Sequence, residues 1–238
     1  MPARVRAAVL FTASLVMTAA GLPGAAATAR HGRPFGGLPY VGALFRADGG
    51  QPQAHFCTAA VLRSPAGNLV VTSAHCMAGR APAGVAFAAG YHDGTFPHGL
   101  DPVARVYTDH AWAARRSIDD DVAVLRLRTG IQRQTGALSL ATGHPPATTR
   151  VIGYPDGRGR PVECTSRATW FRTGRQMRFA CGGYPDGTSG GPWILGRGRV
   201  YGVIGGYQQG GRKPWISYSP AFGRSVRTLY RRAVADDH

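Results

Sequence analysis

Apolar and polar residues fall in short runs along most of this chain, each bounded within about a dozen positions by Gly, Pro, Asp or Asn, the spacing of strands joined by turns. The first half holds six such runs, at residues 38–45, 55–63, 69–74, 84–90, 102–108 and 121–128. The second half holds candidates at 138–142, 148–154, 161–171, 176–181, 192–195 with 200–206, and 214–218. The period changes only near the end. There Val226, Leu229, Tyr230, Ala233 and Val234 recur at three and four with arginines between them, which predicts an amphipathic helix over 223–236.

Two halves of similar strand count predict an all-β fold: two antiparallel six-stranded β-barrels, closed so that no sheet edge is left bare, with a C-terminal α-helix packed on the second. The first barrel is expected over 38–136 and the second over 137–222, after a short polar lead at 30–37. No internal repeat marks a propeller or solenoid. The 34 Gly and 17 Pro of the 238 residues supply the turns, and the length suffices for a sizeable core.

Residues 1–29 read as a secretory signal: Arg4 and Arg6, then an apolar run over 7–20, then small residues ending Ala27-Thr28-Ala29. The run is shorter than the roughly 20 residues that cross a bilayer, and Gly21, Pro23 and Gly24 break it. Export, cleavage near Ala29 and an extracellular location follow as expectations, with no membrane span. In an oxidising compartment the four cysteines fall into two local pairs, Cys57 with Cys76 and Cys164 with Cys181. Each closed loop is worth on the order of 3 kcal/mol in the chain-entropy account. The rival is a zinc site built from His55, Cys57, His75 and Cys76, which the compartment disfavours.

A net charge of +16 draws acidic surfaces, but the cations are scattered singly and form no recognisable nucleic-acid motif. Association with anionic surfaces is therefore carried as a secondary expectation, and specific nucleic-acid binding is not expected.

Three segments bear chemistry. Gly187-Thr188-Ser189-Gly190-Gly191-Pro192 surrounds a serine with residues that bend sharply and can aim N–H groups at a developing oxyanion; a Gly-rich turn is the plainer reading. An apolar strand runs Val70-Val71-Thr72-Ser73-Ala74 into His75-Cys76, where a lone histidine is more often structural. Asp119-Asp120-Asp121 precedes the buried-looking Val122-Ala123-Val124-Leu125, though adjacent aspartates usually mark a solvated turn.

Together these segments resemble the chymotrypsin-like (trypsin-fold) serine peptidase family, whose marks are Thr-Ala-Ala-His-Cys, Asp-Ile-Ala-Leu-Leu and Gly-Asp-Ser-Gly-Gly-Pro, in that order. Cys57-Thr58-Ala59-Ala60-Val61-Leu62 resembles the family strand whose cysteine bridges to the one beside the histidine. The short span from Asp121 to Ser189 is similar to that of a compact, secreted bacterial-type member. The resemblance implies a serine endopeptidase with a catalytic triad of Ser189, His75 and Asp121, an oxyanion hole from the N–H groups of Gly187 and Ser189, and an acyl-enzyme on protein or peptide substrates. It implies no cofactor and no metal, and a monomer is expected. Asp121 is taken over its neighbours because it directly precedes the apolar-Ala-apolar run.

The chain departs from the family in three places. Thr188 stands where an Asp commonly pairs with a new N-terminus, and no Ile-Val-Gly-Gly start is present, so no N-terminal salt-bridge switch is expected. Gly183 occupies the position that holds Asp in trypsin-type enzymes, which disfavours cleavage after Lys or Arg. The specificity pocket is expected from Gly183, Gly205, Gly206 and Tyr207, with Arg212 and Lys213 as exposed loop charges and an acidic preference as the weaker alternative. The competing function is a catalytically inactive, basic protein of this fold that binds polyanionic surfaces; it would ordinarily lack a triad residue.

Overall fold

Runs of Val, Ala and Leu in the first half give strands whose side chains fill an interior, and closure hands every edge N–H and C=O a partner. A computed structural model describes residues 30–48, 51–143, 147–172 and 175–236; the secretory signal expected over residues 1–29 lies outside the described residues. In chain order the strands are β1 (Arg33–Pro34), β2 (Val41–Asp48), β3 (Gln51–Leu62), β4 (Leu69–Thr72), β5 (Val85–Ala89), β6 (Asp101–Thr108), β7 (Ala123–Leu127), β8 (Ser139–Leu140), β9 (Thr148–Gly153), β10 (Val162–Phe171), β11 (Gln176–Ala180), β12 (Pro192–Leu195), β13 (Arg199–Val203) and β14 (Ile216–Pro220). The helices are α1 (His110–Arg115), α2 (Gln132–Thr135) and α3 (Arg224–Ala235).

Strands β2-β3-β4-β7-β6-β5 form a closed barrel around Leu44, Val61, Val70, Phe87, Val103 and Leu125. The other eight strands form a second sheet, β14-β11-β10-β9-β12-β13-β8, with β1 added on β10. Its interior is more aromatic, around Trp193, Phe179 and Tyr201. A third cluster, from Val41 and Leu138 through Ile152, Tyr154 and Val203 to Leu229 of α3, joins the two halves. Helix α3, expected on the second barrel, lies instead against β6 and β7 of the first, where Arg105 of β6 pairs with Asp236 (3.1 Å) and Arg126 of β7 donates to the Asp236 C=O.

The expectation of two closed barrels is met in the first half only. In the second, β13 and β14 lie side by side, yet no ladder joins them among the described residues. Ser219 Oγ takes the Val203 N–H (2.9 Å), and Tyr218 C=O takes the Gly205 N–H beyond the strand end (3.0 Å), so the seam is stitched irregularly. A second unforeseen element is α1, which the Asp109 carboxylate caps by accepting from the Ala111 N–H (2.7 Å). The polar lead also proves ordered: β1 pairs Arg33 and Pro34 with Glu163 and Val162.

Candidate active site

β4 ends at Thr72, and the chain turns at once into a short 3-10 segment, Ala74–Met77, that carries His75. Ala74, Cys76 and Met77 are buried, and the Cys57–Cys76 disulfide ties the turn to β3. The imidazole is therefore held by a strand end, a disulfide and three buried neighbours, and its side chain is 13% exposed. The two cysteines spend their sulfurs on each other, which removes the zinc site weighed from sequence; the His55 ring instead packs near Phe45 and Tyr91, with Nε2 donating to the Arg158 C=O (2.9 Å). The second disulfide joins Cys164 of β10 to Cys181.

The three adjacent aspartates have three different jobs. Asp119 accepts from Gln176 Nε2 (2.9 Å), and Asp120 accepts from Ser117 Oγ (2.7 Å). Asp121 is 1% exposed and faces His75: Oδ1 accepts the His75 backbone N–H (2.8 Å), while Oδ2 accepts from His75 Nδ1 (2.7 Å) and from the Gly206 N–H (2.8 Å). A carboxylate satisfied by three donors tolerates burial. Its bond to Nδ1 also selects the tautomer that leaves the Nε2 lone pair outward. Gly205 and Gly206 make this approach feasible. A Cβ on Gly205 would stand 3.0 Å from Asp121 Oδ2, and one on Gly206 2.4 Å from Gln176 Oε1.

The serine arrives on a turn pressed into the first barrel. A Cβ on Gly190 would meet Thr72 Oγ1 at 2.0 Å and Thr58 O at 2.2 Å, and one on Gly191 would meet Ile152 O at 2.2 Å, so both positions exclude a side chain. The Thr58 N–H donates to Ser189 C=O (2.7 Å), and the Gly190 N–H to Ile204 C=O (2.7 Å). Gly187 has φ +87°, and a Cβ there would lie 2.4 Å from the Asp156 N. Neither the Gly187 N–H nor the Ser189 N–H donates to the protein among the described residues, which leaves both for an incoming oxygen. Thr188 is buried and donates from Oγ1 to Pro185 C=O (2.6 Å), in the place of the absent Asp.

Thr58 was not foreseen as a site residue. Its Oγ1 donates to Gly187 C=O (3.0 Å) and accepts the Tyr154 N–H (2.8 Å), and its own C=O accepts from Thr72 Oγ1 (2.8 Å). One buried hydroxyl thus joins β3, the end of β9 and the serine turn. The signal for it in the sequence is a lone hydroxyl at the head of the apolar Ala59-Ala60-Val61-Leu62.

Beside Ser189 opens a cleft of about 460 Å³, lined among others by Tyr184, Pro185, Ile204, Gly210, Arg212 and Lys213. The Tyr184 hydroxyl donates to Val151 C=O (2.8 Å), and burial pushes its phenol well above the usual value, so it stays a neutral wall. The four residues expected to form the pocket sit around this cleft rather than along it. Gly183 lines a neighbouring hollow with His31, whose ring occupies the space a side chain at 183 would need. Gly205 and Gly206 serve Asp121, and Tyr207 packs its ring at a tilt against Phe171 and edge-on against Tyr218. Arg212 and Lys213 are exposed loop charges, as read from sequence, and they line the cleft together with Asp186.

A family model described as a trypsin-like peptidase domain matches residues 57–203, a span that holds His75, Asp121 and Ser189. Among solved structures, protease Anisep from Arthrobacter nicotinovorans is similar at 20% identity with a TM-score of 0.73, over 86% of this chain and 99% of its own. A thermostable serine protease, AL20, from an extremophilic microorganism is similar at 26% identity and TM-score 0.71, over 84% and 98%. A Glu endopeptidase is similar at 18% identity and TM-score 0.70, over 87% and 98%. Comparison with curated protein sequences returns no significant match.

Proposed function

This chain belongs to the trypsin-like peptidase family, and from that premise we propose that it is a secreted serine endopeptidase that cleaves protein or peptide substrates through an acyl-enzyme. The observation that carries the proposal is the buried Asp121 carboxylate, which holds both the backbone and the ring of His75, whose neighbour Cys76 has its Sγ 3.7 Å from the Ser189 C=O.

Ser189 Oγ attacks the scissile carbonyl carbon while His75 Nε2 takes its proton. Asp121 keeps the proton on Nδ1 and stabilises the imidazolium that forms. The carbonyl oxygen, now an oxyanion, receives the N–H groups of Gly187 and Ser189. Collapse expels the amine, which leaves with the proton from His75, and water repeats the sequence on the ester to free the acid and regenerate Ser189. With two cations against one carboxylate in its wall, the cleft disfavours a Lys or Arg side chain beside the cut bond. The two disulfides support an extracellular setting, and among the described residues no helix is long and apolar enough to cross a membrane.

A fluorophosphonate probe tests the reading directly. The folded, disulfide-bonded protein is expected to label at Ser189, and Ser189→Ala to abolish the label; a folded protein that fails to label overturns the proposal.

A further inference from the structure

The basic residues that look scattered along the chain converge in space. Between Asp121 and Asp156, and again between Asp186 and Asp236, the chain contains no Asp or Glu, and these stretches supply β8, the β12–β13 hairpin and α3. On α3, Arg224, Arg227 and Arg231 are exposed and recur at three and four, which puts them on one stripe. Arg227 donates to Thr142 Oγ1 just past β8, and Tyr230 donates to the Arg63 C=O (2.8 Å), so the end of β3 lies beside the helix. Arg63 in turn donates to Ser139 Oγ (3.2 Å), and Ser139 pairs in register with Arg199.

The result is one face carrying Arg63, Arg199, Arg224, Arg227 and Arg231, all exposed. The one described carboxylate at the end of α3, Asp236, is engaged by Arg105 (3.1 Å). Elsewhere the carboxylates are mostly spent locally: Asp93 on Arg160, Asp101 on Thr129, Asp109 on the α1 cap, Asp119 on Arg175 and Gln176. Among the described residues no carboxylate pairs with these five arginines; like charges so gathered repel, and a partner that neutralises them removes the cost.

We infer that this face is a docking surface for a linear phosphodiester polymer without bases, of the kind built from repeating polyol phosphates. Charge complementarity supplies the attraction. Every cation of the face is an arginine, whose planar fork matches phosphate oxygens. The exposed large hydrophobic residues, Ile118, Trp170 and Trp215, lie on other elements, and Tyr230 of α3 is half-buried with its hydroxyl tied to the Arg63 C=O, so the face presents no row of open aromatic rings for successive nucleobases. The surface uses none of the residues placed around Ser189 and stands independently of the peptidase reading. Docking there would hold the protein on an anionic matrix with the cleft free.

The test is fluorescence anisotropy with labelled poly(glycerol phosphate) at about 0.15 M salt, where long-range attraction by net charge is largely screened. R63Q/R199Q/R231Q is expected to weaken binding about tenfold or more. R115Q/R167Q/R178Q, which removes the same charge elsewhere, should weaken it less than about twofold. The salt slope should be shallower by about two to three in the first triple. Ser189→Ala should bind like the unmodified protein, and both triples should keep its far-UV circular dichroism and thermal midpoint. Equal losses in the two triples, or tighter binding of charge-matched duplex DNA or polyglutamate, overturns the inference.

Discussion

The two halves of the molecule solve the same problem, holding reactive groups still, by opposite means. The half with the closed barrel carries His75 and Asp121 and fixes them mainly by what is present: buried neighbours, a disulfide and three donors on one carboxylate, one of them the Gly206 N–H reaching across from the second half. The open second sheet presents Ser189 through what is missing, since Gly187, Gly190 and Gly191 each stand where a Cβ would strike backbone or a side chain within 2.4 Å. A site built from packed and hydrogen-bonded groups fails when a partner is removed, whereas a site made of absent side chains fails when a methyl group is added.

That contrast can be broken or sharpened by measurement. The largest effect is expected from Ser189→Ala, which should remove labelling and lower turnover by roughly a millionfold, the scale seen when a triad nucleophile is deleted. Asp121→Asn should lower kcat by about 10,000-fold, because an amide can donate to Nδ1 and so favours the wrong tautomer. Asp120→Asn should lower it less than about threefold, since its partner is Ser117; a reversed order in the kinetics of the two would mean that the neighbouring aspartate orients the histidine.

Gly187→Ala is expected to cost roughly 100- to 1,000-fold in kcat, the loss of one oxyanion donor, because the methyl would collide with the Asp156 N and turn the peptide away. Thr58→Val, which leaves the Tyr154 N–H and Gly187 C=O without their shared partner, should lower stability by about 1–3 kcal/mol in denaturant titration. Thr58→Ser, which keeps the shared hydroxyl, should retain most of that stability. A modest effect, on selectivity rather than on turnover, is expected from R212Q/K213Q. It should relax discrimination against Lys and Arg at the cut site by about fivefold to tenfold in a peptide-library digest, about 1 kcal/mol of exposed electrostatics.

Much of the fold is legible as alternation and turn signals, with instructive offsets. The strand expected from 38 is β2, which begins at Val41 because Pro39 lacks an N–H and the Val41 N–H turns back to Leu38 C=O. The strand expected from 121 starts at Ala123, because Asp121 lies in a bend with its carboxylate turned toward His75. The C-terminal helix, read over 223–236, spans Arg224–Ala235. Helix α1 went unread since it is short and its cap, Asp109, looks like any turn aspartate.

The chain by itself determined the strand runs, the local cysteine pairing, the glycines of the serine turn and the order of the three chemical segments. All of these are carried by consecutive residues, through backbone conformation and side-chain period. Tertiary structure alone decided which of three aspartates meets His75, that Thr58 reaches Gly187 across 129 residues, that the second sheet stays open at the β13–β14 seam, and that the cleft is walled by Arg212 and Lys213. Those are choices of partner between segments distant in sequence. They depend on how two packed halves meet, and no local pattern encodes the meeting.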